Sequence, residues 1–253
     1  MQPFVAIDRS VLALAGGDRV KFLQDLVTND LGGLTQGLVY AALLTPQGKY
    51  LSDFFLSQDG ERILLDVSTA QAPALAQRLS MYKLRADVTV TATDLAVVQG
   101  TGTPPEGASP DPRHPDLGWR HLTAVPDATG DAAPWHATRI RLGVPQSDIE
   151  LIPNESYILE AGFDRLNGVD FKKGCYVGQE VTARMRHKTA LRKGLARVAV
   201  TGAPPPAGSP VTRDDKPVGT LYSVAEGLGL AHLRFDRAEG EMRAGDATVT
   251  RIE

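Results

Sequence analysis

The residues best suited to chemistry lie in one segment, residues 173–180, whose sequence is Lys-Gly-Cys-Tyr-Val-Gly-Gln-Glu. It contains Cys175, the only cysteine among 253 residues, and Lys172 and Lys173 precede that cysteine. The thiolate is the reactive form of cysteine, and nearby cations or a helix N-terminus favour it. Glycines close to the thiol permit backbone conformations that other residues avoid. The segment therefore predicts a site where backbone, thiol and cation meet a ligand.

A single cysteine is, by residue type, more often a small buried hydrophobe than a reactive group. The charges near Cys175 favour the reactive role, because residues 171–193 include seven lysines and arginines and one acid, Glu180. We predict a helix over residues 179–188, so the turn that carries the thiol lies just before a helix N-terminus. The free N–H groups and partial positive charge there stabilise a thiolate or an anionic ligand.

Residues 166–184 resemble the signature of the YgfZ family, folate-binding proteins related in fold to the aminomethyltransferase (T-protein) of glycine cleavage. Residues 19–30 and 48–53 are similar to the opening segment and the next strand of both branches. The resemblance implies a role in assembly or repair of iron–sulfur clusters, chiefly in 4Fe–4S and radical-SAM enzymes. It also implies that tetrahydrofolate, or a derivative, binds in a central channel.

The resemblance matches the signature cysteine to Cys175 and the signature lysine to Lys173, which become the predicted catalytic residues. Lys173 would favour the thiolate or bind a glutamate carboxylate of folate; the alternative is a solvated lysine in a turn. The transferase branch lacks the Lys-Gly-Cys-Tyr sequence and usually has two adjacent acids where this chain has Ser52 and Asp53. This difference argues against aminomethyl transfer, because the missing acid is expected near the reactive folate nitrogen.

The resemblance also implies that Glu160 accepts hydrogen bonds from adjacent N–H donors of the pterin ring, as charge-assisted bonds. Glu155 is the alternative for that role. Asp53 would face the folate nitrogens, or it would be an ordinary strand-end aspartate at a turn. Tyr176 would stack on the pterin or simply pack, since an aromatic ring serves either use. The remaining predicted folate-binding residues lie at the start of the helix and are Gly178, Gln179, Glu180 and Arg184.

These helix-start residues also have an ordinary structural explanation. Glu180 and Arg184 are four residues apart, a spacing that gives common helix ion pairs, and an acid near a helix N-terminus complements the helix dipole. The five histidines show no metal-binding spacing. One cysteine excludes an intrachain disulfide, and iron–sulfur clusters typically need four thiolates. We therefore predict no metal stably bound by this chain alone.

Three hypotheses follow from these residues. The first is a folate-binding factor whose partners are the iron–sulfur assembly machinery and client 4Fe–4S and radical-SAM enzymes. The second is a folate-dependent one-carbon transferase. The third is an RNA-binding module that uses the basic residues 184–193, and an acidic chain with few aromatic residues argues against it. A monomer is the default, because no heptad pattern or self-complementary patch is present.

The net charge and the N-terminal sequence indicate which classes of partner and which cellular location to expect. A net charge of −3 and a pI near 6.0 argue against a general nucleic-acid or membrane binder. The first residues lack the architecture of a signal peptide and the Arg- and Ser-rich character of a mitochondrial transit peptide. No apolar run reaches membrane-spanning length. From these features we expect a cytoplasmic protein.

The elements that must position the site are predicted from periodicity and turn residues. The helices are expected at residues 18–29, with Asp18 as the cap at the start, and at residues 69–83, 133–142 and 179–188. The strands are expected at residues 4–8, 11–15, 39–44, 51–57, 62–67, 87–92, 95–99 and 120–124, and then at 195–200, 217–224, 229–233 and 247–252. This mixed order indicates an α+β fold, and the resemblance implies the aminomethyltransferase-like folate-binding fold.

Two regions are predicted along the chain. Residues 1–190 would form the folate-binding region, as two interleaved α+β subdomains made of residues 1–35 with 95–190 and of residues 36–94. Residues 191–253 contain short β-prone runs between Gly/Pro turns, which indicates a small antiparallel β-barrel.

Overall fold

The computed structural model describes residues 1–187 and 191–252. Within them the helices are α1 (Arg19–Gln24), α2 (Ala72–Tyr82), α3 (Ala133–Arg141) and α4 (Gln179–Arg186), with short 3₁₀ helices at Leu31–Thr35 and Pro115–Leu117. The strands before the barrel are β1 (Phe4–Val5), β2 (Arg9–Ala15), β3 (Val39–Leu44), β4 (Tyr50–Asp59), β5 (Arg62–Ser68), β6 (Thr89–Ala92), β7 (Ala96–Gly100), β8 (Ser109–Pro110) and β9 (Trp119–Thr123). The later strands are β10 (Lys193–Thr201), β11 (Ser209–Arg213), β12 (Lys216–Ala225), β13 (Leu228–Arg234), β14 (Glu241–Ala244) and β15 (Ala247–Arg251).

A five-stranded antiparallel sheet in the order β3-β4-β5-β2-β6 has a hydrophobic core on each face. Strand β3 is buried along its whole length. Side chains alternate between the two faces of a strand, so Ala41 and Leu43 enter the core beneath α1 and α2. Tyr40 and Ala42 enter the core on the opposite face. Burial on both faces explains why β3 is a continuous apolar run rather than an alternating one.

The second of these cores lies between the five-stranded sheet and a four-stranded sheet in the order β1-β7-β9-β8. Tyr40 packs there on the ring of Phe163, with ring centroids 5.1 Å apart. Trp135 of α3 and Tyr176 belong to the same core. The 173–180 segment is therefore anchored directly in the packing between the two sheets.

Strands β10-β13-β12-β11-β14-β15 close into an antiparallel barrel. Alternate residues of β10 are buried, as expected when the interior of a small barrel is filled by side chains. The barrel joins the rest of the molecule where Leu195 N donates to Glu160 O at 2.7 Å and Arg139 donates to Ser223 Oγ at 2.7 Å. The predicted α+β class and C-terminal barrel are both present.

The predicted grouping of residues 1–35 with residues 95–190 differs from the observed sheets. Strand β2 lies between β5 and β6 in the five-stranded sheet, and α1 packs on the core of that sheet through Phe22 and Leu23. Residues 9–35 therefore pack with the five-stranded sheet, because the inward side chains of β2 and α1 face its core. The domain boundaries themselves stay a prediction.

Helix α1 is shorter than predicted, ending at Gln24 instead of residue 29. Asp18 precedes it, but the Asp18 carboxylate accepts a hydrogen bond from Asp87 N at 2.8 Å and makes no cap to the helix. The predicted N-terminal cap is therefore wrong, because the Asp18 carboxylate binds the backbone of Asp87, just before β6, and not the first turn of α1.

The other elements differ from expectation mainly at their ends. Helix α4 ends at Arg186, and Lys188, the last residue of the predicted helix, lies outside the described residues. Two barrel strands, β11 and β14, were not expected from the sequence. Both are short and adjoin Gly- or Pro-containing turns, which weakens their periodic signal.

Candidate functional site

The position of the 173–180 segment is set by the side chain of Lys173, which is 8% exposed. Its Nζ donates to the backbone oxygens of Gln24, Val27 and Asn29 at 2.7, 2.6 and 2.9 Å. An ammonium group has three N–H donors, and all three are used here. The predicted catalytic role of Lys173 stays a prediction, while these contacts give the residue a structural one.

The C-terminal end of α1 is a favourable environment for the charge of Lys173. The last carbonyls of a helix lack intrahelical partners and carry partial negative charge, which a cation complements. Burial lowers the pKa of Lys173 to about 8, and the nearby carboxylates of Asp30, Asp25 and Asp170 oppose that decrease. The lysine therefore fixes the segment to the end of α1 and the turn that follows it.

Further hydrogen bonds fix the residues that lead into the segment. Thr28 Oγ1 donates to Gly168 O at 2.7 Å, and Asp170 N donates to Thr28 O at 3.1 Å. Asn29 Nδ2 donates to Asn167 O at 2.7 Å. Side-chain and backbone hydrogen bonds thus join the turn after α1 to residues 167–170.

Gly178 shows why the signature needs glycine next to the helix. Its φ is 83°, a left-handed conformation, and a Cβ there would lie 2.7 Å from Thr45 O. On the opposing turn, a Cβ on Gly48 would lie 2.8 Å from Val181. The start of α4 therefore packs directly on the β3–β4 turn, and any side chain at Gly178 would separate them.

Cys175 is exposed, although Lys173 and Tyr176 on either side are buried at 8% and 5% exposure. Tyr176 also lies 5.5 Å from Lys173 Nζ, measured to the ring centroid, and burial raises the pKa of Tyr176. The structure therefore holds the thiol between two fixed residues while leaving it accessible. Tyr176 packs in the core between the sheets, and its predicted contact with a pterin stays a prediction.

The remaining helix-start candidates show ordinary helix contacts. Glu180 and Arg184 approach within 3.6 Å, with side chains 91% and 66% exposed. Exposed pairs of this kind contribute little to stability. Gln179 N donates to Tyr176 O at 3.2 Å as α4 begins. Their predicted folate-binding roles stay predictions.

Asp53 is buried in the middle of β4, opposite Ala42, and not at a strand-end turn. Its carboxylate accepts from Tyr40 Oη at 2.9 Å, Tyr50 Oη at 2.6 Å and Ser147 Oγ at 2.7 Å. Burial, followed by the negative charge of Asp53, raises the pKa of both tyrosines well above its usual value. The three hydroxyl groups therefore hold a carboxylate inside the protein.

Asp53 lines a cavity of about 340 Å³ between the two sheets, hereafter the inner cavity. Its apolar walls include Phe55 and Trp135. Its polar lining includes the Asp53 carboxylate as an acceptor and guanidinium donors from Arg9, Arg113 and Arg120. A small set of oriented polar groups in an apolar cavity is the usual composition of a small-molecule site.

Two buried aspartates hold these arginines. Asp66 binds Arg9 at 2.6 Å and also binds Arg120, and Asp111 binds Arg113 at 2.8 Å. The Arg120 guanidinium lies 3.9 Å from the centroid of the Phe55 ring, a favourable cation–π geometry. This arginine cluster was not predicted from the sequence. Arg113 and Arg120 flank a short turn without a motif, so residue type was the only available signal.

Glu160 lies at the junction with the barrel, apart from Asp53. Its carboxylate is 3.2 Å from His232 Nε2 and 3.5 Å from Lys193 Nζ. Among the residues that line the inner cavity, Asp53 is present and Glu160 is not. The two acids expected at one ligand therefore do not share this cavity. The alternative, Glu155, is exposed, and its backbone oxygen accepts from Lys49 Nζ.

In residues 1–187 and 191–252, no group of three or more His, Cys, Asp or Glu side chains could hold a metal ion. In the same residues, no helix is long and apolar enough to cross a membrane.

The fold defines the class of this protein. The whole chain is similar to the glycine cleavage system aminomethyltransferase T from Bartonella henselae, with a TM-score of 0.77, 15% identity and coverage of 99% of this chain and 84% of that one. Residues 192–252 match the family model described as CAF17, C-terminal beta-barrel domain. The chain therefore has an aminomethyltransferase-like fold with a CAF17-type barrel.

The sequence relatives identify the family. The mitochondrial iron-sulfur cluster assembly factor IBA57 of Mus musculus is 33% identical, with 92% of this chain and 78% of the relative aligned. The Homo sapiens protein of the same name is 30% identical over the same shares. The chain belongs to the IBA57 family of iron-sulfur cluster assembly factors. The finer resemblance to the YgfZ family stays a prediction.

The fungal relatives are longer than this chain. The IBA57 homologue of Mycosarcoma maydis is 36% identical over 232 residues, and the one from Pyricularia oryzae is 33% identical over 215 residues. The alignments span 58% and 54% of those relatives, so the chain matches little more than half of their length. All four of these relatives are described as mitochondrial. The cytoplasmic location expected from the N-terminal sequence is therefore wrong.

We expect Lys173→Met to lower the free energy of unfolding by about 1–3 kcal/mol, because it leaves buried carbonyls at the end of α1 without a donor. Lys172→Met is the matched control, since Lys172 is exposed and its side chain should be replaceable at a cost within about 0.5 kcal/mol. Urea denaturation of both variants measures the difference. Equal stability of the two variants would contradict the structural role of Lys173.

We expect Asp111→Asn to lower the free energy of unfolding by about 3–5 kcal/mol at pH 7, because it leaves the buried guanidinium of Arg113 without its counter-ion. Asp116→Asn, at an exposed aspartate nearby, is the control. Denaturant titrations from pH 7 to pH 2 measure both effects.

The pH dependence follows from the lowered pKa of Asp111. Burial raises this pKa, but the charge and hydrogen bonds of Arg113 lower it by more, so it falls below the ordinary 3.8. The stabilisation is therefore complete above pH 3.8 and is lost as the pH falls through the folded-state pKa. The difference in the free energy of unfolding between wild type and Asp111→Asn should therefore decrease below pH 3.8. A difference that stays constant would show that the ionisation of Asp111 is not its cause.

Proposed function

We propose that this chain is an iron–sulfur cluster assembly or repair factor that presents Cys175 as a reactive thiol. The observation that carries the proposal is the contrast between an exposed thiol and the buried, hydrogen-bonded residues beside it. The membership in the IBA57 family supports it. A thiol that served only packing would lie inside the core, where Tyr176 lies.

One thiolate cannot hold a cluster by itself, since clusters typically take four protein ligands. Cys175 therefore acts together with a partner, either as one ligand of a cluster or as a thiolate that attacks a disulfide of the partner. The attack forms a transient mixed disulfide, breaks the partner's S–S bond and releases its other sulfur as a thiolate. The partners proposed are components of the iron–sulfur assembly machinery and client 4Fe–4S and radical-SAM enzymes. The accessible position of the thiol is compatible with a protein partner reaching it.

We further propose that a reduced folate binds in the inner cavity. The pterin ring of a folate is flat and has one edge with adjacent N–H donors and a carbonyl acceptor. The Asp53 carboxylate, which accepts from three hydroxyl groups, has about one acceptor site left for a pterin N–H. The guanidinium groups of Arg9 and Arg113 are donors near the acceptor, and the Phe55 ring provides an apolar wall. When bound, a folate supplies one-carbon chemistry at its reduced nitrogens; the residues here bind and orient it.

One-carbon transfer, the alternative function, is less well supported by the site. Transfer needs an acid or base free to exchange a proton with the folate nitrogen. Asp53 already accepts from three hydroxyl groups, which stabilises the carboxylate. The neighbouring position is Ser52, whose buried hydroxyl has no hydrogen-bond partner within residues 1–187 and 191–252. The assembly role is therefore the function that we propose.

Cys175→Ser should abolish the assembly function in cells without changing the fold, because the replaced side chain is exposed and lies outside the hydrophobic cores. The test uses a deletion strain complemented with wild type or variant and assayed for 4Fe–4S and radical-SAM enzyme activities. Wild type should restore these activities and Cys175→Ser should not, at equal protein level and equal melting temperature. Full restoration by the serine variant would exclude the thiol mechanism.

Asp53→Asn should weaken binding of tetrahydrofolate about tenfold or more, because a hydrogen bond to a charged group contributes about 1.5–3 kcal/mol. Asp59→Asn, at the exposed end of the same strand, is the matched control and should bind normally. Anaerobic titration calorimetry measures both affinities. If Asp53→Asn binds like wild type, the pterin is recognised elsewhere.

A further inference from the structure

Leu84, at the end of α2, has an unusual backbone conformation for its residue type. It follows the C-cap residue, Lys83, and its φ is 46°. The left-handed conformation after a helix is usually adopted by glycine, because a Cβ makes it unfavourable. Among residues 1–187 and 191–252, the other non-glycine residues with positive φ are all Asp, Asn or Glu. By its conformation alone, leucine is therefore an unfavourable residue at this position.

The side chain of Leu84 does not compensate for this by packing within the chain. The residue is 88% exposed, and it belongs to none of the hydrophobic cores formed by the described residues. A disfavoured backbone conformation that is retained is a reason to look for a function. Together, the conformation and the exposure point to a contact of Leu84 outside the folded chain.

Two more exposed apolar side chains lie on the same side of the molecule. Met81 is one turn before Leu84 on α2, and Val20 is near the start of α1. Both helices pack on the same core of the five-stranded sheet, so their exposed sides point away from one face of that sheet. Asp87 N donates to Asp18 Oδ2 at 2.8 Å, which joins the start of α1 to the segment after α2. We call Val20, Met81 and Leu84 the helix-end surface.

The charges around the helix-end surface are mainly positive. Residues 17–25 and 77–88 contain five lysines and arginines and three aspartates, a local net charge of +2. Lys21, Arg78 and Arg85 are exposed there. The whole chain has a net charge of −3, so contact with an anionic partner would be confined to this part of the molecule.

The shape of the helix-end surface favours a soft partner. Its three side chains line none of four cavities found among the described residues, and their exposure shows that they protrude. A protruding apolar side chain enters a lipid layer without a complementary pocket, while lysines and arginines beside it attract anionic headgroups. A second copy of this chain is disfavoured, because two surfaces of the same charge repel each other.

We propose that the helix-end surface binds an anionic membrane surface, with Met81 and Leu84 inserted between the headgroups and with Arg78 and Arg85 at the phosphates. The binding is reversible, since a few apolar side chains bury much less area than a membrane anchor does. The proposal goes beyond the proposed function and depends on neither the thiol nor folate.

Vesicle flotation at low salt measures this binding. Wild type should float with vesicles of equal parts phosphatidylcholine and phosphatidylglycerol, and not with vesicles of phosphatidylcholine alone. Leu84→Gly should lower the partition coefficient about tenfold, because it removes the inserted side chain. Val125→Gly is the matched control and should bind like wild type, since Val125 is 81% exposed but lies outside the helix-end surface.

The melting temperature of Leu84→Gly separates a role in binding from a role in the fold. It should equal or exceed that of wild type, because glycine adopts the left-handed conformation without strain. Arg85→Gln tests the charge and should lower the partition coefficient about fivefold, the contribution of one basic residue at an anionic surface.

A fluorescent variant reports insertion directly. The two native tryptophans, Trp119 and Trp135, are buried, so a change in emission on adding vesicles to Met81→Trp arises at position 81. The emission should shift to shorter wavelength with the phosphatidylglycerol vesicles and stay unchanged with phosphatidylcholine alone.

Each contrary result overturns a stated part of the proposal. No flotation of wild type with the phosphatidylglycerol vesicles would overturn it and leave a protein as the occupant of the helix-end surface. Equal flotation with both kinds of vesicle would overturn the role of the charges. Normal binding by Leu84→Gly, or a lower melting temperature of that variant, would show that Leu84 serves the fold and not the membrane.

Discussion

Three backbone carbonyls, one at the end of α1 and two in the turn after it, converge on the ammonium group of Lys173, and this contact determines where the rest of the signature lies. The carbonyls belong to residues 24–29 and the lysine to a segment nearly 150 positions later. A compact ammonium suits three converging acceptors, whereas the planar fork of arginine matches paired, parallel ones. With Lys173 fixed and Tyr176 in the core, the two residues between them have little freedom. Cys175 is one of these two residues.

The space between the two sheets imposes a second constraint. It contains the carboxylate of Asp53 and the arginines paired with Asp66 and Asp111. Buried ion pairs are weak evidence for stability, because the loss of hydration can exceed the attraction between the charges. Around the inner cavity they would instead present oriented donors to the ligand that we propose. The thiol and the cavity are thus two separate features attached to the same core through Tyr176 and Tyr40.

The sequence predicted the features that depend on local periodicity or on a long motif. The α+β class, the C-terminal barrel and the placement of the thiol before α4 follow from such local signals. Features set by contacts between distant residues were missed or misjudged. Asp18 is a good capping residue by type, yet Asp87 uses its carboxylate. Lys173 was predicted to favour the thiolate or to bind a folate carboxylate, which stays a prediction, whereas its contacts with the carbonyls after α1 follow from no sequence pattern. No sequence pattern indicated the buried arginines. Glu160, expected at the same ligand as Asp53, faces the barrel and not the inner cavity.

The measurement that tests this account most directly is hydrogen exchange of the backbone amides in residues 174–178 in wild type and Lys173→Met, well below the melting temperature of the variant. If Lys173 holds the signature in place, exchange in these residues and in the turn after α1 should be faster in the variant, while the barrel is unchanged. The same protection in both proteins would contradict the account. Faster exchange throughout the molecule would contradict it as well, because it would indicate general destabilisation and not the loss of a local anchor.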